Sequence, residues 1–267
     1  MKQIVFSDVD GTLLNHRHQI TPLTHKAIIE LQKKNIPFVI VSARSPSGIY
    51  PILDKYQLCA SIIAYSGALI MDSNFKIVAN QGMPTSYALS IIDYIEKNNF
   101  DLSWSVYSFD QWLVKNCHDD RIKNEERIVA AKSKQISKEE LRKLPVVHKI
   151  LCICNPQYTK DIQNQLKEHF KNCTIVRSSD ILIEIMDHGV NKGKAVKKLC
   201  SLWQIPLANA IAFGDQYNDL EMLQIVKYGY VMENAPFDLQ QQIKRITLDN
   251  DHDGIYQALL KLQVIDK

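Results

Sequence analysis

"VFSDVDGTLL", residues 5–14, runs an apolar segment into two aspartates, Asp8 and Asp10, and follows them at once with the Gly11–Thr12 turn. Ile4 to Phe6 reads as a short buried strand, because a strand covered on both faces by helices is continuously apolar rather than alternating. Negative charge gathered where such a strand runs out lies at the edge where open α/β sheets bind ligands. The next residues fit that kind of sheet. Ala27, Ile28 and Leu31 mark one face of a helix, "PFVIVS" (residues 37–42) is a second apolar strand, a helix is expected near Gly48 to Tyr56, and another strand near Ile62 to Ala64. Strands alternating with helices predict a parallel, doubly wound sheet.

From Met83 the texture changes. A helical stretch, "TSYALSIIDYIEKN", leads into "LSWSVYS", where Leu102, Trp104 and Val106 alternate with serines as in a strand with one wet face. "VHKILCIC" and "DILIEIM" supply further strands, separated by a helix around Tyr158 to Phe170. The α/β pattern then resumes: Ala195, Val196, Leu199, Cys200 and Trp203 make a helical face, "NAIAFGD" is an apolar strand ending in Asp215, and "NDLEMLQIV" is the helix behind it. A strand at Tyr228 to Met232 and a terminal helix from Gly254 complete the chain. The expected organisation is an α/β doubly wound core over residues 1–82 and 189–267, interrupted by an inserted α+β domain over residues 83–188.

Composition narrows the function. Length 267 and 46% hydrophobic content allow one large core or one core plus a smaller domain. With 32 Lys and Arg against 29 acidic residues, the balance is too even for a nucleic-acid footprint. Residues 115–149 carry ten Lys/Arg and six Asp/Glu, the pattern of a solvated face that also draws small anions. No apolar run approaches the roughly 18 residues of a membrane span, and the N-terminus leads straight into a strand, so a soluble cytoplasmic protein is expected. Six scattered cysteines without CxxC spacing signal neither a zinc site nor disulfides. Neither GxGxxG nor GxxxxGK[ST] occurs, which disfavours dinucleotide and P-loop enzymes.

In a parallel sheet the strand ends share one rim, so Asp8 and Asp10, Ser42 and Arg44, and Asp215 are expected to converge there. Crowded carboxylates repel unless a cation compensates them. An all-oxygen set without histidine or cysteine favours Mg²⁺, which keeps positions open for a phosphate oxygen. In "GVNKGKAVKK", Lys192 falls in the first turn of a helix capped by Asn191, where a cation opposes the helix dipole and so points to an anionic ligand such as phosphate. Ser42, Thr12, Asn218 and the Gly11 turn offer hydrogen bonds to the same group. Lys194, Lys197 and Lys198 are expected to be a solvated helix face, and Asp187 and His188 hinge polarity.

"DVDGT" (Asp8–Thr12), "SAR" (Ser42–Arg44), the lysine of "NKGKA" (Lys192) and "GDQYND" (Gly214–Asp219) resemble, in this order, the four motifs of the haloacid dehalogenase superfamily of phosphatases. The insertion resembles the class IIB cap of its Cof-type members. Ser42 stands where threonine is frequent, and Ser66 of "YSGALI" where asparagine is frequent.

The resemblance implies a Rossmann-like core with an α+β cap. It also implies a Mg²⁺-dependent phosphomonoester hydrolase acting on small phosphorylated metabolites through an aspartyl-phosphate. Asp8 would be the nucleophile and Asp10 the general acid and base. Gly11, Thr12, Ser42, Arg44, Lys192 and Asn218 would contact the phosphate, with the metal on Asp8, the Asp10 carbonyl, Asp215 and Asp219. Sugar phosphates, pyridoxal phosphate and flavin mononucleotide all fit as substrates. Nucleic acid and membrane are not expected partners, and the chain would be a monomer or homodimer. The rival readings are a phosphomutase or phosphotransferase, which passes the phosphoryl group to an acceptor hydroxyl, and a phospho-accepting signalling module, normally far shorter than this chain.

Overall fold

The computed structural model describes residues 2–129 and 131–266. Two compact units divide the chain. Met1–Arg44, Ile49–Ala79 and Asn191–Lys267 form the first, and Ser45–Gly48 with Asn80–Val190 the second. Apart from the short Ser45–Gly48 excursion, the chain crosses between them at 79/80 and 190/191, a few residues outside the expected 82/83 and 188/189.

In chain order the first segment carries β1 (Ile4–Ser7), α1 (Pro22–Lys33), β2 (Phe38–Val41), α2 (Tyr50–Tyr56), β3 (Ser61–Ala64), β4 (Leu69–Met71) and β5 (Ile77–Asn80). The middle carries α3 (Thr85–Lys97), β6 (Leu102–Ser108), β7 (Gln111–Val114), α4 (Asp120–Val129), β8 (Lys134–Gln135), α5 (Lys138–Leu141), β9 (Lys149–Cys154), α6 (Thr159–His169), β10 (Cys173–Arg177) and β11 (Leu182–Asp187). The last segment adds α7 (Lys192–Leu202), β12 (Ala210–Gly214), α8 (Leu220–Ile225), β13 (Tyr228–Met232), α9 (Phe237–Gln240), β14 (Ile246–Thr247) and α10 (Gly254–Lys261).

The first unit is built on a sheet in the order β14-β13-β12-β1-β2-β3-β4-β5. From β14 to β3 every pairing is parallel. β4 departs from the all-parallel expectation and runs antiparallel to β3. Only the Tyr65–Gly67 turn and Ala68 separate the two, far too short a link for the crossover that a parallel neighbour needs. β1, central and buried throughout, sends Ile4 and Phe6 into the cluster under α7 and α8, where Val196, Leu199, Met222 and Leu223 meet them. Val5 is buried on the opposite face. In register, Ser7 lies opposite Phe213 of β12 and Ile40 of β2. The residues that follow these strands, Asp8, Ser42 and Asp215, therefore leave the sheet at one edge.

The second unit is a sheet in the order β10-β11-β9-β6-β7-β8, antiparallel except between β7 and β8. One face packs Trp104, Val106, Ile150 and Ile183 against Ile91, Ile92 and Ile95 of α3 and Ile162 and Leu166 of α6. Cys152 and Cys154 lie in this apolar cluster, where burial pushes both thiols up, Cys154 to about 12, as expected of core residues. The serine face of β6, expected to be wet, is covered. Ser103, Ser105 and Tyr107, which share that face, are all buried. Ser103 donates its hydroxyl to Asp119 just ahead of α4 (2.7 Å), and Ser105 lies between the buried Val114 and Leu151 of the flanking strands. Among the described residues no helix is long and apolar enough to cross a membrane.

His148, entering β9, is fully buried, and its Nδ1 accepts the Phe109 N–H at 2.9 Å, which requires a ring unprotonated at that atom. Burial pushes its pKa down to about 4. The unfolded chain therefore binds the proton first, and stability falls as pH drops from about 6.5 towards 4, by up to about 3 kcal/mol from this group. Thermal melts between pH 7 and 4.5 should show a smaller loss for His148→Gln than for the parent. Equal losses would remove His148 from the acid response.

Candidate active site

Asp8 leaves β1 with its backbone still in the ladder, its N–H donating to the Phe213 carbonyl at 3.0 Å. Its carboxylate is buried. Lys192, the first residue of α7, is as deeply buried and places Nζ 2.6 Å from Asp8 Oδ1 and 2.6 Å from Asp219 Oδ1. The helix starts at this point because Asn191 caps it, its side-chain oxygen accepting the Lys194 N–H at 2.7 Å. Asp219 closes the turn before α8, and its second oxygen accepts the N–H groups of Asp215 (3.1 Å) and Gln216 (3.0 Å). Gly214 lets that carboxylate lie against the strand end, since a Cβ there would come 2.5 Å from the Asp219 Cβ.

Asp215 follows β12 and is held by two donors, the Thr12 hydroxyl (2.7 Å) and the Gln216 amide (3.0 Å). Gly11 adopts φ +82°, and a Cβ on it would sit 2.3 Å from an Asp215 oxygen, so the Asp8–Thr12 loop can press against Asp215 only with glycine here. Asn234, after β13, steadies the same loop by donating to the Gly11 carbonyl at 2.9 Å.

One oxygen from each of Asp8, Asp215 and Asp219 falls within 4.8 Å of the other two. Burial raises the Asp8 pKa well above the carboxylate range, with Asp219 adding to the rise and Lys192 opposing it. Burial also raises Asp215, against the Thr12 hydrogen bond. For Lys192, burial alone would favour the neutral amine, but Asp219 and Asp8 together hold its pKa above the usual lysine value. Among the described residues a single ammonium thus faces three buried carboxylates. The donor set is all oxygen and deficient in positive charge, so these residues fit a hard divalent cation.

The structure brings Asp8, Thr12, Lys192, Asp215 and Asp219 into one hydrogen-bonded network. Thr12 spends its hydroxyl proton on Asp215. Asp10 stands apart: its side chain, half exposed, turns to Arg44, which donates from Nε at 2.9 Å and Nη2 at 2.6 Å. Ser42 is buried and its hydroxyl oxygen accepts the Arg44 N–H at 3.1 Å. Asn218 is exposed on the Tyr217–Asp219 turn. His188 sits in one of the two connecting segments and is tied by its carbonyl to the other, accepting from the Gln81 amide at 3.1 Å. Gln216 and Asn234 were not expected at the site. Their amides act only through folded contacts, Asn234 across 223 positions of chain, and no spacing in the sequence announces them.

A family model of haloacid dehalogenase-like hydrolases matches residues 5–259. The "Putative phosphatase" of Haemophilus influenzae is 33% identical over 260 residues, covering 96% of each chain. The crystal structure of TM0651 from Thermotoga maritima matches with a TM-score of 0.88 at 26% identity, over 100% of this chain and 98% of that one. A haloacid dehalogenase-like hydrolase from Bacteroides thetaiotaomicron shares the fold at a TM-score of 0.87 and 22% identity, over 98% of this chain and 100% of that one. With the motifs falling in family order along a matched fold, the chain belongs to the haloacid dehalogenase-like hydrolases, as a Cof-type phosphatase.

Proposed function

We propose that this phosphatase is a Mg²⁺-dependent hydrolase of small phosphorylated metabolites, sugar phosphates or similar, working through an aspartyl-phosphate on Asp8. The observation that carries the reading is the buried Asp8–Asp215–Asp219 cluster with the Lys192 ammonium set between Asp8 and Asp219. An Asp8 oxygen attacks phosphorus, the bond to the leaving alcohol breaks, and Asp10 gives that oxygen its proton. Asp10 then takes a proton from water, whose oxygen attacks phosphorus. The bond to Asp8 breaks, freeing inorganic phosphate and the carboxylate. Lys192 keeps the Asp8 oxygen aimed and lends positive charge to the anion. The Ser42 hydroxyl, Asn218 and the backbone of Gly11 and Thr12 are the candidate holders of the phosphoryl oxygens.

Asp8, the Asp10 carbonyl and Asp215 would hold Mg²⁺, which when bound offsets repulsion between the anionic nucleophile and the anionic phosphate. Asp219 would add a ligand oxygen or support the site from behind, holding Lys192 and the Asp215 backbone in place. The burial of Asp8 favours small substrates over phosphate groups on folded proteins. Residues 80–190 would serve as the cap that selects the leaving group. A screen of phosphorylated metabolites, read by phosphate release with no acceptor alcohol, tests the proposal. Release is expected with Mg²⁺ and none in excess chelator. Full turnover in chelator, or transfer only in the presence of an acceptor, would reject it, the second outcome in favour of a phosphotransferase.

A further inference from the structure

Arg44 meets Asp10 as a fork. Nε donates to Oδ2 at 2.9 Å and Nη2 to Oδ1 at 2.6 Å, so both carboxylate oxygens are engaged by one guanidinium. Most ion pairs this exposed matter little, because two long side chains must be ordered to make them. Here both ends are anchored. The Arg44 N–H is bound to the Ser42 hydroxyl at 3.1 Å, and the Arg44 carbonyl accepts the Tyr65 N–H at 3.1 Å. Ser42 is held in turn by the Ser66 N–H on its carbonyl at 2.8 Å.

The residues making those bonds, Tyr65 and Ser66, both adopt positive φ (51° and 55°), a conformation that side chains other than glycine take up only where the surroundings impose it. A strained turn is thus maintained where its N–H groups grip Ser42 and Arg44. On the other side, the Asp10 loop is held by Asn234 on Gly11 and by Thr12 on Asp215.

We infer that Arg44 is the positioning residue for Asp10, and not a side chain that holds phosphoryl oxygens. The inference rests on the reading of Asp10 as the acid and base. A half-exposed carboxylate on a loop turns freely towards water. Proton transfer requires it within about 2.6–3.2 Å of the leaving oxygen. The fork fixes the plane and the rotamer of the carboxylate together, which a single point charge does not do. Because Arg44 is bonded to Ser42, the proton-transfer group is registered to the hydroxyl proposed to hold phosphate.

The test measures kcat and KM on an unactivated sugar phosphate with Mg²⁺ for Arg44→Gln, Arg44→Lys, Asp10→Asn and the Asp10→Asn/Arg44→Gln pair. Calorimetry adds the affinity for inorganic phosphate, and thermal melts confirm folding. Arg44→Gln is expected to lower kcat roughly 10- to 100-fold with KM and phosphate affinity held within about threefold. Arg44→Lys should be no faster than Arg44→Gln, since an ammonium lacks the planar fork that fixes the carboxylate's plane, and it carries the comparison if the glutamine variant does not fold. The double variant should be as slow as Asp10→Asn alone, because nothing remains for Arg44 to position.

A tenfold loss of phosphate affinity, a rise in KM with kcat kept, full recovery by lysine, or losses that multiply in the double variant would each overturn the positioning role while leaving Asp10 as acid and base. Parental turnover by Asp10→Asn would overturn that assignment, and the inference with it.

Discussion

Asp8→Asn is expected to release no detectable phosphate, a fall of roughly 10⁴-fold or more, because an amide oxygen is a poor nucleophile and an entire covalent route is lost. The same change should leave the fold intact. Asn keeps an oxygen able to accept from Lys192, which lies 2.6 Å from Asp8 Oδ1. It also removes one of three buried negative charges, whose cost is visible in the raised Asp8 pKa, caused first by burial and then by Asp219 against the pull of Lys192. In chelator the variant should therefore melt no lower than the parent. Phosphate release and melting curves on one preparation give both readings. Parental turnover would remove Asp8 as nucleophile, and a large drop in melting temperature would show its charge to be stabilising rather than tolerated.

Lys192→Met carries the second large effect. Methionine fills most of the lysine volume but leaves the Asp8 and Asp219 carboxylates buried without their shared cation. Breaking a buried pair from one side costs about 3–5 kcal/mol, because the desolvated charge left behind has no compensation. In a protein of this size that amounts to a fall of roughly ten degrees in melting temperature. The deficit should be largest at alkaline pH, where the raised Asp8 carboxyl ionises, and smaller where it is protonated. Asp8→Asn should rescue Lys192→Met, the double variant melting above the single one. Turnover should drop by about 10²- to 10³-fold, the usual cost of one preorganised electrostatic contact. A variant as stable as the parent in chelator, or one that Asp8→Asn does not rescue, would contradict the reading of Lys192 as the charge that holds the cluster together.

Much of this site was legible before folding, for a definite reason. An apolar strand buried on both faces has a continuous run of side chains, and when such a run gives way to a polar residue the position of that residue on the sheet edge follows from the parallel topology. Asp8 after Phe6 and Ser7, Ser42 after "PFVIV" and Asp215 after "AIAFG" are all of this kind. Lys192 was legible because a cation in a helix's first turn works against the dipole, and the N-cap Asn191 located that turn. In the second unit, the four-residue α5 and the two-residue β8 are too short to carry a pattern, so periodicity did not resolve them. The serines of β6 misled because alternation tells which side chains share a face, not whether something covers that face.

By itself the sequence determined the doubly wound core, the insertion, and which acidic and basic groups end up on one rim, since strand periodicity and helix capping are local properties. The tertiary structure alone decided how those groups divide the hydrogen bonds. It paired Asp10 with Arg44, spent the Thr12 hydroxyl on Asp215, and brought Gln216 and Asn234 to the loops. It also turned β4 antiparallel. The physical reason is that a hydrogen bond depends on distances of a few ångströms and on direction. Residues 34 or 223 positions apart acquire such distances only after the sheet has set the strands side by side.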